Sequence, residues 1–194
     1  MPTTDGETIR AIVMESAAAH QRFAAAHSEA VAAAAAAIVR AIREGRKIFA
    51  FGNGGSASDA EHFVAELVGR FERDRRGYPA MALTANSSVL TSAANDFGFE
   101  ACFSRQIEAL ASKGDIAVGI STSGASPNVV AALAAARALG AVTIALTGRD
   151  GGAAAHHADL HVNVAEASTP RIQEIHRTVL HAICSVVDSQ FPVG

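Results

Sequence analysis

Residues 52–66 read Gly-Asn-Gly-Gly-Ser-Ala-Ser-Asp-Ala-Glu-His-Phe-Val-Ala-Glu, and the strand-like run 47–51 leads directly into them. This order predicts a strand that enters a tight turn, because glycine adopts backbone conformations that other residues avoid. Ser56 and Ser58 are candidate caps for a helix after the turn. The free N–H groups and partial positive charge at the start of such a helix favour an anionic ligand.

His62 and Glu66 lie four residues apart and therefore share one face of the helix predicted after this turn. An exposed helical pair is the ordinary explanation of this spacing. A zinc site instead draws its ligands from several elements, and the last predicted helix offers four, Gln173, Glu174, His176 and His181. Gln173 and His181 are separated by roughly 12 Å along an ideal helix. His176 is the nearer partner of Gln173, but periodicity does not choose between the two histidines.

Composition sets the broad class. The 194 residues suit a single domain with a substantial core, and the net charge of −3 argues against a nucleic-acid partner. Cys102 and Cys184 form no metal or redox motif, which indicates reduced thiols and a reducing compartment. The N-terminus lacks the pattern of a signal peptide, and the apolar run 30–39 is too short to span a bilayer. We therefore expect a soluble cytoplasmic protein with no membrane partner.

Two helices are predicted ahead of the first strand. Thr4 and Glu7 form a capping-box pattern that opens a helix running to about Ala26. A second helix begins after Ser28 and ends at Gly45. Residues 1–45 are thus expected to form an antiparallel helical pair. Because alanine buries little area, we also expect an oligomer that buries more surface.

Residues 46–194 are predicted to form a parallel α/β core that ends in a long helix. Apolar runs alternate with helical segments, which indicates a doubly wound five-stranded parallel sheet flanked by helices. The four further strands are placed at 79–84, 116–120, 141–147 and 159–164, and the last helix at about 170–189. Together with the helical pair they make one domain, 1–194.

A second donor-rich loop follows the third predicted strand. It carries four hydroxyls, on Ser121, Thr122, Ser123 and Ser126. Hydroxyl and N–H donors at a helix N-terminus hold phosphate without a lysine. Both loops follow strands of one parallel sheet, so we expect them at the same edge. The pattern of glycines also loosely fits a dinucleotide site, but the second strand lacks the acidic residue that such a site requires.

Several other polar residues are given simpler interpretations. Asn95 and Asp96 suit a turn and, near the sheet edge, could bind sugar hydroxyls. The basic run 70–76 is interrupted by acids and is predicted to be a solvated turn. His156 and His157 are expected at the surface.

These motifs in combination resemble the sugar-isomerase (SIS) domain family and, within it, the phosphoheptose isomerases. The resemblance covers nearly the whole chain. It rests on the glycine-rich loop with His62 and Glu66, on residues 90–96, on the Ser-Thr-Ser-Gly loop at 121–124, and on Arg-Ile-Gln-Glu at 171–174 with His181.

The resemblance implies a homotetramer with active sites between subunits and one zinc ion per subunit. The implied metal ligands are His62, Glu66, Gln173 and His181. The implied catalytic pair is Glu66 as base with His181 as acid/base partner. The implied substrate contacts are Asn53, Gly54, Gly55, Glu66, Asn95, Asp96, Ser121, Thr122, Ser123, Ser126 and Gln173.

The implied reaction converts sedoheptulose 7-phosphate into D-glycero-D-manno-heptose 7-phosphate, the first step toward activated heptose for bacterial surface polysaccharide. A carboxylate base and a cation that stabilises the enediolate are suitable tools for it. Two alternatives remain at this point. One is a SIS isomerase for another ketose phosphate, and the other is a non-catalytic SIS-domain protein that associates with a replication initiator.

Overall fold

A computed structural model describes residues 4–192, and it shows a parallel sheet covered by helices on both faces. The described helices are α1 (Asp5–Arg43), α2 (Gly55–Val68), α3 (Ser87–Phe97), α4 (Ser104–Leu110), α5 (Pro127–Ala138) and α6 (Thr169–Ser189). The strands are β1 (Ile48–Gly52), β2 (Ala80–Ala82), β3 (Ile116–Ser121), β4 (Val142–Gly148) and β5 (Leu160–Val164). They pair in the order β2-β1-β3-β4-β5, and every pair is parallel. The predicted fold class is confirmed.

Alternation along the strands divides the core into two layers. In β1, Ile48 and Ala50 pack against α1, α2 and α6, whereas Phe49 and Phe51 pack against the helices of the opposite face. Successive side chains of a strand point to opposite faces. A strand buried on both faces therefore becomes a continuous apolar run, which is the pattern that the sequence displays.

The predicted helical pair over residues 1–45 is wrong, because α1 is one continuous helix of 39 residues. The capping box of Thr4 and Glu7 opens it as predicted. At the expected break, the Ser28 hydroxyl donates to the carbonyl of Ala24 at 2.6 Å, so this residue stays inside the helix. The alanine tract that follows has the highest helix propensity available and continues the helix to Arg43.

The second half of α1 is a core helix. By length and apolar composition, α1 would also suit a membrane span. Its residues Ala34, Ala35, Ile38 and Ile42 are, however, buried in the core layer that α6 completes. Burial against α6 and the sheet accounts for the apolar composition of this half.

Both cysteines are buried and free, as predicted. Burial raises the pKa of the Cys184 thiol to about 12, and it also raises the pKa of Cys102. Because the thiolate is the reactive form, both residues are inert at neutral pH.

The basic run 70–76 is only partly the solvated turn that was predicted. The Arg75 side chain is 3% exposed and pairs with Asp188 of α6 at 2.8 Å. Its guanidinium also donates to the carbonyls of Glu66 and Leu67, at 2.7 and 3.0 Å, and lies over the ring of Tyr78. Arg75 therefore joins the end of α2 to the end of α6.

We expect Arg75→Met to lower the free energy of unfolding by about 3–5 kcal/mol, because it leaves the Asp188 carboxylate buried without its cation. Arg70→Ala is the matched control from the same run. Its ion pair with Asp74 is exposed, and such pairs contribute about 0–1 kcal/mol. Urea denaturation measures both changes. Equal losses of stability in the two variants would contradict a stabilising role for the buried Arg75–Asp188 ion pair.

The same ion pair predicts a loss of stability in acid. Burial alone would raise the pKa of Asp188, but hydrogen bonds from Arg75 and from the Glu72 and Arg73 amides outweigh it and lower the pKa. A carboxyl whose pKa is lower when folded stabilises the fold above its unfolded pKa, near 3.9. We expect this contribution to disappear as pH falls below that value, and to be missing from the pH profile of Arg75→Met.

Candidate active site

The two donor loops lie at the same edge of the sheet, as predicted. β1 and β3 are neighbours in parallel register, with Gly52 beside Ile120. The glycine-rich loop leaves β1 at Gly52, and the serine-rich loop leaves β3 at Ser121. The carboxyl ends of adjacent strands therefore present both loops to one region of space.

Two observations explain glycine in the first loop. Gly54 has a φ of 56°, in the left-handed region that side chains disfavour. At Gly55 an added Cβ would collide with the Nε2 atom of Gln173, which lies against this backbone. The missing side chain thus allows α6 to place Gln173 directly over the loop.

The predicted serine cap of α2 is wrong. The N-cap residue is Gly54, and no side chain among residues 4–192 caps this helix. Ser56 is buried inside the first turn instead. The uncapped N-terminus keeps N–H donors available for an anion.

The serine-rich loop forms a compact group of hydroxyls. The Ser121 hydroxyl lies 2.9 Å from that of Ser126 and 3.4 Å from that of Ser123, whose oxygen accepts the Ala125 N–H at 3.2 Å. Ser126 is the N-cap residue of α5 and Pro127 begins that helix, but the Ser126 side chain does not cap it. These hydroxyls can turn toward a phosphate at the start of α5.

His62, Glu66 and His181 converge between α2 and α6. The Nε2 atoms of His62 and His181 are 2.8 Å apart, and the Oε1 atom of Glu66 is 3.4 Å from Nε2 of His62. The side chains of His62 and Glu66 are 35% and 22% exposed, so solvent reaches them. The pair on α2 is thus part of a group that spans two helices.

His176, the nearer partner of Gln173 by spacing, points elsewhere. It is fully buried, and its Nε2 lies 3.0 Å from the Thr147 carbonyl of β4. Burial lowers its pKa, so this imidazole is neutral at physiological pH. The structure places His181 at the cluster and His176 in the core.

A cleft of about 570 Å³ opens over this region between α1, α2 and α6. Gly55, Gln173 and His181 line it. Ser58, predicted only as a helix cap, also lines it, and so do five residues for which no role was predicted: Ser16, His20, Asp59, Arg177 and Thr178. They come from α1, α2 and α6, and no single motif links them, because only the packing of these three helices brings them together.

Asn95 and Asp96 are not brought into this cleft. They lie exposed on α3, where the Asn95 amide donates to the Asp96 carboxylate at 2.8 Å. Within residues 4–192 they therefore stand apart from the histidine cluster.

The donor chemistry at the cluster suits a divalent cation. Two imidazole nitrogens facing each other at 2.8 Å repel unless a proton or a cation lies between them. Two nitrogens on one tetrahedral zinc ion stand roughly 3.3 Å apart, so a shift of about half an ångström would suffice. Residues 4–192 hold no group of three or more His, Cys, Asp or Glu side chains already arranged for a metal. Gln173 of α6, which lies over Gly55 and lines the same cleft as His181, is a candidate for a further ligand.

The fold and a match to a known domain family together identify the class of protein. Residues 13–148 match the SIS domain family. The parallel sheet, with its two donor loops at one edge, is consistent with that match.

Comparison with known proteins narrows the family. The chain is 53% identical to a phosphoheptose isomerase of Geobacter metallireducens over 158 residues, which are 81% of this chain and 84% of that protein. It is also similar to solved phosphoheptose isomerases. That from Neisseria gonorrhoeae has a TM-score of 0.91 at 43% identity, and that from Francisella tularensis 0.93 at 35%. Each comparison covers 96% of this chain and 100% of the other. The chain belongs to the phosphoheptose isomerase family of SIS domains and is an isomerase.

Proposed function

We propose that the protein is an aldose–ketose isomerase that converts sedoheptulose 7-phosphate into D-glycero-D-manno-heptose 7-phosphate, the first step of activated heptose biosynthesis. The observation that carries the proposal is the convergence of His62 and Glu66 with His181, which itself lines the cleft between α1, α2 and α6. Family membership supports a phosphorylated heptose as substrate. We expect the enzyme to act in the cytoplasm.

We propose that one zinc ion per subunit is held by His62, Glu66, Gln173 and His181. The two facing imidazoles, the nearby carboxylate and the position of Gln173 over Gly55 support this ligand set. When bound, zinc would supply positive charge that stabilises an enediolate.

In the proposed reaction the loops orient the substrate. The amides of Gly54 and Gly55 and the hydroxyls at 121–126 bind its phosphate and polar groups. Binding at several points fixes the sugar, which lowers the entropic part of the barrier. Asn95 and Asp96 would contact substrate only with a different arrangement of α3 or from a neighbouring subunit.

The chemical step moves two protons. Glu66 removes a proton from C1 of the ketose, and the electron pair of that C–H bond forms the C1–C2 double bond of the enediolate. Glu66 then returns a proton to C2. His181, whose Nε2 faces the proposed metal site, would give a proton to O2 and take one from O1 at its other ring nitrogen, Nδ1, so the carbonyl moves from C2 to C1 and all atoms balance.

A homotetramer fits the exposed surface of α1. Ile9, Ile12 and Val13 follow helical spacing and are 51–60% exposed, and Met14 beside them is 64% exposed. Contiguous exposed apolar side chains mark interaction surfaces. Analytical ultracentrifugation checks this proposal, and a monomeric mass at micromolar concentration would contradict it.

The direct test is incubation of the zinc-loaded protein with sedoheptulose 7-phosphate, with NMR detection of the aldose. We expect conversion to equilibrium and much slower turnover of ketohexose and ketopentose phosphates. Faster turnover of a shorter ketose phosphate would show that the proposed substrate is wrong but would leave the proposed isomerisation chemistry unchanged. No turnover of any ketose phosphate, together with capture of a replication initiator, would favour the non-catalytic alternative.

A further inference from the structure

Two asparagines connect the two donor loops. Nδ2 of Asn53 donates to Oδ1 of Asn128, and Nδ2 of Asn128 donates to Oδ1 of Asn53, each at 2.9 Å. Asn53 lies in the glycine-rich loop and Asn128 in the first turn of α5, directly after the serine-rich loop. Among the side-chain hydrogen bonds of residues 4–192, only this pair joins the two loops.

The orientation of both amides is determined by their neighbours. Oδ1 of Asn128 also accepts the Val129 N–H at 3.0 Å, so this atom must be the oxygen. Turning either amide over would place two NH₂ groups or two oxygens face to face. Asn128 is 2% exposed, and a buried amide without a partner is costly.

We propose that Asn128 is a positioning residue that holds the glycine-rich loop, through Asn53, at a fixed distance from the serine-rich loop. The proposal rests on the proposed function only in assuming that both loops bind the phosphorylated ligand. Asn53 then acts by supporting the loop backbone, in contrast to the direct substrate contact that the sequence predicted for it. Asn128 had no signal in the sequence because it lies on a helix beyond the motif.

The physical reason is preorganisation. Asn53 stands between the end of β1 at Gly52 and Gly54, whose φ of 56° lies in a region that glycine adopts readily, so the chain after Asn53 has more conformational freedom than other residues would give it. We call the two hydrogen bonds between Asn53 and Asn128 the bridge. Without the bridge, the glycine-rich loop must be ordered when the ligand binds, and the entropic cost of that ordering lowers the affinity for the ligand. His62, Glu66 and His181 lie further along α2 and α6 and form no hydrogen bond with either asparagine, so metal binding should change little.

The first test uses Asn128→Leu, which keeps the branching and the number of side-chain heavy atoms but removes both hydrogen bonds to Asn53. Calorimetry on the full chain with inorganic phosphate is expected to show about tenfold weaker binding, the usual effect of one buried polar group left unpaired. Zinc affinity should stay within about twofold of the original protein. Asn163→Leu is the matched control, because this half-buried amide bonds only around β4 and β5 and should leave phosphate affinity unchanged. Unchanged phosphate affinity in folded Asn128→Leu would overturn the proposal.

The second test is a double-mutant cycle that combines Asn53→Ala with the substitution of Asn128. Because Asn53 lies in a partly exposed loop, Asn53→Ala should fold even if Asn128→Leu does not. For that case Asn128→Ser provides the other single variant. If the pair acts as one unit, the double variant binds phosphate no more weakly than either single variant. Additive losses, about 100-fold in the double variant, would show that Asn53 contacts the ligand directly and would overturn the proposal.

The outcome separates this inference from the proposed function. Phosphate binding that depends on Asn128, without isomerisation of any ketose phosphate, would uphold the bridge and refute the isomerase. Isomerisation with unchanged KM in Asn128→Leu would uphold the isomerase and refute the bridge.

Discussion

Glu66→Gln is expected to lower kcat for the isomerisation by about 10²–10⁴-fold, the usual contribution of a positioned general base. The carboxamide has nearly the same shape as the carboxylate but cannot accept the C1 proton. KM should change little, because the phosphate is held by the two loops. Steady-state kinetics on sedoheptulose 7-phosphate measures both parameters, and the zinc content of each sample is determined in parallel.

Glu61→Gln is the matched control for this prediction. Glu61 lies one position before His62 on α2 and is exposed, so it carries the same charge without facing the cluster. Its substitution should leave kcat within about twofold, since isolated surface charges interact weakly across water. Near-normal turnover in zinc-loaded Glu66→Gln, or equal losses in both variants, would exclude Glu66 as the base.

His181→Ala is expected to weaken zinc binding by more than about 100-fold, because even partners outside the ligand set cost about 10–100-fold. It also removes the proposed acid/base partner, so activity should not recover when zinc is added in excess. Competition with a chelating dye measures the affinity.

His176→Gln distinguishes the two histidines of α6. Because His176 contacts the Thr147 carbonyl in the core, its substitution should lower stability while zinc affinity stays within about threefold. Loss of zinc in His176→Gln and its retention in His181→Ala would reverse the assignment.

Local patterns in the sequence were sufficient to predict the sheet and its functional edge. Apolar runs bounded by glycines predicted the strands, because a strand buried on both faces has no polar alternation to obscure it. Both donor loops follow such runs, so their shared location required only parallel pairing. Spacing placed His62 and Glu66 on one face of a helix but favoured an exposed pair, and their role in a site was implied by the resemblance.

Features that depend on tertiary contacts were not predictable in the same way. A serine suggested a break in α1, yet its hydroxyl bonds back to the preceding turn and the helix continues. Arg75 resembled its solvated neighbours but is buried, because Asp188 comes from a helix more than a hundred residues later. Whether His181 or His176 joins the histidine cluster likewise depends on which face of α6 packs against α2 and which packs against β4. Spacing along one helix contains no information on that packing.

The central claim is that Glu66 transfers a proton between C1 and C2 of a ketose phosphate beside the histidine pair. Its most direct test is NMR of sedoheptulose 7-phosphate incubated with the zinc-loaded protein in ²H₂O. Because the Glu66 side chain is 22% exposed, its proton exchanges with solvent, and we predict deuterium at C1 of recovered ketose and at C2 of the aldose. Aldose that forms with the original C1 hydrogen fully retained at C2 would indicate hydride transfer and contradict the account.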